Sequence, residues 1–158
     1  MVAPMADLEL LDRGYAAIMA SVVAHGQAPH FTQLARDLDI ELGEAKELVH
    51  ELVGLTPGWV HPGTDYVASF PPFNLQPTHY DVSIDGAPGW YAQCGFEALA
   101  IRWLVPGKFV QIDAPCLCCG EPISVLMQDE QIEEIEPAHA VGYTAAEVGG
   151  DAASRPFR

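Results

Sequence analysis

Basic side chains are the first scarcity in this sequence. Its 158 residues carry Lys+Arg 7 against Asp+Glu 22, for a formal charge of −15. Nonspecific nucleic-acid binding rests on Lys and Arg neutralising phosphates, so this balance excludes that class, and an anionic membrane surface is disfavoured on the same ground. No stretch reaches the ~18 consecutive apolar residues of a spanning helix. The N-terminus holds acids where a signal peptide has a basic segment, so a cytoplasmic location is expected. P-loop, G-x-G-x-x-G, H-E-x-x-H and Ser/His/Asp signatures are absent as well. Cysteine is sparse and confined: Cys94, Cys116, Cys118 and Cys119 all fall in one stretch of the second half. In a reducing compartment that distribution points to thiol or soft-metal chemistry rather than to structural disulfides.

What is present suffices for a core, with 49% of residues hydrophobic. Leu8, Leu11, Tyr15, Ile18, Met19, Val22 and Val23 recur at three- and four-residue steps and predict a helix over 6–25, ended by His25-Gly26. Thr32 is the expected N-cap of a short helix to Leu38, and a third helix is expected from about Leu42 to Leu55. Trp59–Val67 reads as a two-stranded wing turning at Pro62-Gly63-Thr64-Asp65. Residues 1–70 are therefore expected to form a winged-helix-like helical subdomain. Its outline is that of a DNA reader, but it holds three basic against ten acidic residues, and the would-be recognition helix carries Glu44, Glu47 and Glu51. That helix would meet phosphates with the wrong sign, so a scaffold is expected.

Three prolines mark 71–78 as a linker. Residues 79–142 then predict a small α+β domain with an antiparallel sheet. Strands are expected at His79–Ile84, Val110–Asp113, Ile123–Met127 and Gln131–Glu136, with a helix over Trp90–Val105. The Ala/Gly-rich residues 143–158 read as a tail.

Two constellations carry chemistry. Cys94 lies at the start of the expected helix, where the helix N-terminus would lower its thiol pKa, and Glu97 follows three residues later on the same face. A thiolate beside a carboxylic acid binds a soft electrophile and moves a proton next to it; a small buried Cys with a solvated Glu is the plain alternative. Cys116-Leu117-Cys118-Cys119-Gly120 contains C-x-x-C-G, two thiolates converging over a tight turn whose Gly takes positive φ. As a zinc site this motif is half complete, with Cys94, Cys118, His79, His139 or a second copy of the chain left to finish it. A soft ion such as Hg(II) or Cu(I) needs only two or three thiolates.

Phe73-Asn74-Leu75-Gln76-Pro77-Thr78, Asp85-Gly86, Trp90-Tyr91-Ala92-Gln93-Cys94-Gly95-Phe96-Glu97-Ala98-Leu99, Asp113-Ala114-Pro115-Cys116, Gly120-Glu121-Pro122-Ile123 and Ile135-Glu136-Pro137 together resemble the organomercurial (alkylmercury) lyases. The resemblance implies an alkylmercury-lyase-like domain over 79–142, preceded by a helix-turn-helix covering element that does not read DNA. It implies that Cys94 is the first catalytic cysteine, Glu97 the proton-transfer acid in place of the usual Asp, and Cys116 a structural cysteine. The family's second catalytic cysteine lies in a C-terminal segment, and no cysteine follows Cys119, so a chain shortened at that end is expected. Cys118 and Cys119 are additional to the family pattern, and Cys119, or else Cys118, is the expected replacement. The implied activity is protonolysis of a carbon–mercury bond, releasing hydrocarbon and thiolate-bound Hg(II) with no cofactor required. The alternative is an inactive relative that binds Zn, Cu or Hg through Cys94, Cys116, Cys118 and Cys119 as a sensor, carrier or structural site. The expected partner is a small organometallic or metal ion, and a homo-oligomer stays open.

Overall fold

Three helices open the chain in a computed structural model that describes residues 7–142. The tail expected over 143–158 lies outside the described residues. The chain divides into two units, Met1–Phe70 and Pro71–Arg158.

In the first unit, α1 (Leu8–His25) starts at Asp7, whose carboxylate accepts from the Glu9 N–H, and ends at Gly26 in the left-handed conformation. Helix α2 (Phe31–Leu38) is capped by His30, not by Thr32: His30 Nδ1 accepts the Thr32 N–H at 3.1 Å and meets its hydroxyl at 2.6 Å. A ring nitrogen thus takes the place expected of a hydroxyl oxygen. Helix α3 (Leu42–Leu55) spans the residues its periodicity predicts. Ile18, Val22, Leu34, Leu48, Val49 and Leu52 form the buried core among the three. Gly14 lets α1 approach α3, since a Cβ there would lie 2.8 Å from Leu48 Cδ2. Strands β1 (Trp59–Val60) and β2 (Val67–Phe70) pair antiparallel as a hairpin.

The second unit is an antiparallel sheet with one helix. Its strands are β3 (Phe73–Asn74), β4 (Asp81–Ile84), β5 (Ala87–Ala92), β6 (Phe109–Pro115), β7 (Pro122–Gln128) and β8 (Gln131–Glu136), in the order β3-β5-β4-β6-β7-β8. Alternation supplies one buried face: Val82 opposes Ile112, and Ile84 opposes Val110, which opposes Met127. Ala98, Ile101 and Val105 are buried on α4 (Gly95–Ala100) and the 3-10 turn that follows it (Ile101–Leu104). Ile132 and Ile135 violate two-residue alternation, and a bulge reconciles them. Ile135 opposes Val125 and Ile132 opposes Met127, with Glu133 skipped.

Two local expectations change. Within the Pro-rich segment 71–78, Phe73 and Asn74 are buried and pair with Ala92 and Tyr91. The helix expected from Trp90 begins only at Gly95, because Trp90–Ala92 completes β5. The apolar residues Trp90 and Ala92 serve strand pairing there, and helical spacing begins after Cys94.

Candidate functional site

Strand β5 ends at Ala92, and the chain turns into α4 through Gln93 and Cys94, the N-cap residue, in extended conformation. The turn is held from the neighbouring strand. Ala92 donates its N–H to Tyr80 O at 3.1 Å, and Thr78 Oγ1 donates to Ala92 O at 2.7 Å. The N–H groups of Glu97 and Phe96 at the helix start favour the Cys94 thiolate, although its sulfur makes no capping hydrogen bond. These lower its pKa, but burial outweighs them, and the neighbouring Glu97 carboxylate adds to the rise. The thiol therefore sits above the usual thiol range, contrary to the depressed value expected of a helix N-terminus.

Glu97 is half-buried in the first turn of α4. Burial pushes its carboxyl above the ordinary carboxylate range, opposed by hydrogen bonds from the Cys94 thiol and backbone N–H. Glu97 Oε2 is enclosed with no hydrogen-bond partner among the described residues. The pair is thus a thiol donating to a carboxyl, each with its pKa raised, and one carboxyl oxygen has no partner among the described residues.

Tyr80 completes this corner, and no feature of the sequence singled it out. Its ring packs 3.5 Å from where a Gly95 Cβ would stand. Its hydroxyl accepts the Gly95 N–H, and burial and the nearby Cys94 raise its pKa. Only the β4–β5 pairing brings it to Cys94.

The second group of thiols lies on the turn joining β6 to β7. Cys116 N–H donates to Glu121 O at 2.7 Å, Gly120 N–H donates to Cys116 O at 2.8 Å, and Gly120 adopts φ 77°. This closes the tight loop the C-x-x-C-G spacing predicts. The sulfurs of Cys116, Cys118 and Cys119 all lie within 4.8 Å of one another, Cys116 and Cys118 at 3.3 Å. Cys118 and Cys119 are exposed. Backbone N–H groups of Cys118 and Cys119, then their thiols, hydrogen-bond to Cys116 Sγ and bring it down to about 7. Cys118 is pushed up to about 11, chiefly because its thiol donates to Cys116 and Cys119.

The four cysteines expected to share one metal are therefore divided: three gather, and Cys94 stands outside their group. No histidine joins the cluster among the described residues, so neither His79 nor His139 completes it. The sheet register relates the two groups. Tyr91, Asp81 and Asp113 lie in one row across β5, β4 and β6. Tyr91 and Asp113 are two strand spacings apart, roughly 10 Å, and Cys94 and Cys116 each follow that row by three residues toward the same sheet end. Beside the cysteine turn is an open depression lined in part by Asp81, Asp113, Pro115, Gly120 and Glu136.

A half-buried thiol–carboxyl pair and a triad of thiols, two of them exposed, on one sheet end define a protein equipped for soft electrophiles. The comparisons make that class specific: residues 73–155, more than half of the chain, match the family MerB: Alkylmercury lyase, and the chain belongs to that family. It is 36% identical over 67 residues to alkylmercury lyases of Bacillus cereus and of Clostridium butyricum, covering 42% of this chain and 30% of each relative. The matched stretch thus spans under a third of those relatives' length. The fold is shared with the mercury-bound form of MerB2, at a TM-score of 0.63 and 18% identity, over 82% of this chain and 65% of that one. Among the described residues no helix is long and apolar enough to cross a membrane.

Proposed function

We propose that the protein cleaves the carbon–mercury bond of a small organomercurial by protonolysis, with Cys94 as thiolate ligand and Glu97 as proton carrier. The observation that supports this most is the Cys94 thiol donating to a Glu97 carboxyl whose other oxygen is enclosed and unpartnered. A soft R–Hg⁺ displaces the proton from Cys94 sulfur, and the nearest acceptor is the Glu97 carboxylate, whose raised pKa lets it hold that proton. Cys119 from the β6–β7 turn adds as the second thiolate and raises electron density on carbon. Glu97 then delivers its proton, the carbon–mercury bonding pair becomes the new C–H bond, and Hg(II) stays on sulfur with no change of oxidation state. No cofactor enters the balance. Tyr80 borders the thiol and helps to hold Cys94 at the helix start. Residues 1–70 form a winged-helix-like subdomain that does not read DNA, and the reaction belongs to the cytoplasm, where thiols stay reduced.

The competing reading is a relative without cleavage activity whose cysteine turn holds Zn, Cu or Hg as sensor, carrier or structural site; the close gathering of three thiols favours it. Incubation with phenylmercury and excess small thiol, followed by headspace measurement of benzene, separates the two. Wild type is expected to release benzene and Cys94→Ser to fall by about 100-fold or more. Equal release from both excludes the cleavage reading.

A further inference from the structure

We infer that Cys116, Cys118 and Cys119 form a self-contained three-coordinate site for Hg(II), one that binds the ion without Cys94 and serves as the resting place of the cleaved metal. The serving role rests on the cleavage reading above; the binding role does not.

Geometry carries the inference. A trigonal ion with metal–sulfur bonds near the ~2.3 Å of zinc thiolates sets its sulfurs ~4 Å apart. The three Sγ atoms already lie within 4.8 Å of one another, with Cys116 and Cys118 at 3.3 Å, so small side-chain rotations admit the ion. The loop is fixed in advance by two backbone hydrogen bonds and by the left-handed Gly120. N–H groups of Cys118 and Cys119 point at Cys116 Sγ, which anchors one ligand before any metal arrives.

Ligand number selects the ion. Zinc in a structural site takes four protein ligands, and here no fourth Cys, His, Asp or Glu gathers with the three among the described residues. A soft ion is satisfied by three thiolates. The exposure of Cys118 and Cys119 leaves the site open to an incoming or departing thiol. Binding is ligand exchange: three S–H bonds give way to three Hg–S bonds, the protons go to solvent or buffer, and nothing is oxidised or reduced. Cys94 and Cys116 leave the sheet at the same end; as the ion passes to the turn, its bond to Cys94 breaks while bonds to Cys116 and Cys118 form, Cys94 takes up a proton they release, and Cys119 stays a ligand throughout.

The test titrates reduced full-length protein with mercuric chloride in the presence of excess cysteine. Sulfur-to-mercury charge-transfer absorption and X-ray absorption then report the coordination number. Wild type and Cys94→Ser are both expected to hold one three-coordinate Hg(II) per chain, while Cys118→Ser, checked for native circular dichroism, loses the three-coordinate signal. Three outcomes overturn the inference. In the first, the signal is lost in Cys94→Ser and kept in Cys118→Ser. In the second, wild type shows only two-coordinate mercury. In the third, a four-coordinate zinc resists displacement by equimolar Hg(II). None of these readings requires hydrocarbon release, so failure of the cleavage reaction leaves a distinct result.

Discussion

The two thiol groups of this protein sit at the same end of one sheet and differ in the proton they keep. At Cys94 and Glu97, burial favours the neutral form of both thiol and carboxyl, despite the N–H groups of the helix start near the sulfur. On the β6–β7 turn there is little burial to oppose hydrogen bonding, and the N–H groups that Cys118 and Cys119 direct at Cys116 bring it to about 7. Similar donors therefore yield opposite outcomes, decided by solvent access. The buried pair stores a proton where bond cleavage needs one; the turn offers a thiolate where metal binding needs one.

Site-resolved alkylation by iodoacetamide, followed by mass spectrometry across pH, is the strongest way to break that contrast. Only thiolate reacts, and its fraction rises as pH passes the pKa, so Cys116 is expected to reach half its maximal rate near pH 7. Cys94, raised above the usual thiol range, reaches half only at higher pH. Near neutral pH its thiolate fraction is the lower of the two. Coincident profiles would remove the contrast. Gly14→Ala sharpens it as a control: the new methyl meets Leu48 in the first unit. It should destabilise by about 1–3 kcal/mol in chemical denaturation while leaving the alkylation profiles in place.

Gly120→Ala acts on the turn alone. A side chain at φ 77° costs about 1–2 kcal/mol. As the loop relaxes, the Cys116 inflection should move upward while that of Cys94 stays where it is. The smallest effect is expected from Asp113→Asn. Asp113 directly opposes Asp81, two like charges on one sheet face, so neutralising one should raise the melting temperature slightly without altering either thiol.

Periodicity made α1 to α3 and the strands β4, β6 and β7 legible, because each turns apolar residues to one side, whereas β8 is mostly exposed and its bulge breaks the alternation. Strand β5 escaped notice because Pro88 and Gly89 disguise it; Pro88 is tolerated opposite Ser83, where the β4–β5 register shifts. Phe96 and Trp103 gave helical spacing yet are each 60% exposed, so the same spacing that located α4 misjudged its buried face. At the site, the three-residue step from Cys94 to Glu97 and the C-x-C-C-G turn were readable, since both are local. The direction of the Cys94 shift was not, because burial is a property of packing around the turn. Nor were Tyr80 beside Cys94 or the separation of Cys94 from the other three thiols, which depend on strand pairing between distant segments.

The proton held by Glu97 is the centre of this account, and single-turnover release of benzene from phenylmercury tests it most directly in Glu97→Gln. The variant should still bind phenylmercury through Cys94, read as protection of Cys94 from alkylation in site-resolved mass spectrometry, while benzene release falls by about 10²–10⁴-fold. Release at the wild-type rate from that variant would contradict Glu97 as the proton carrier.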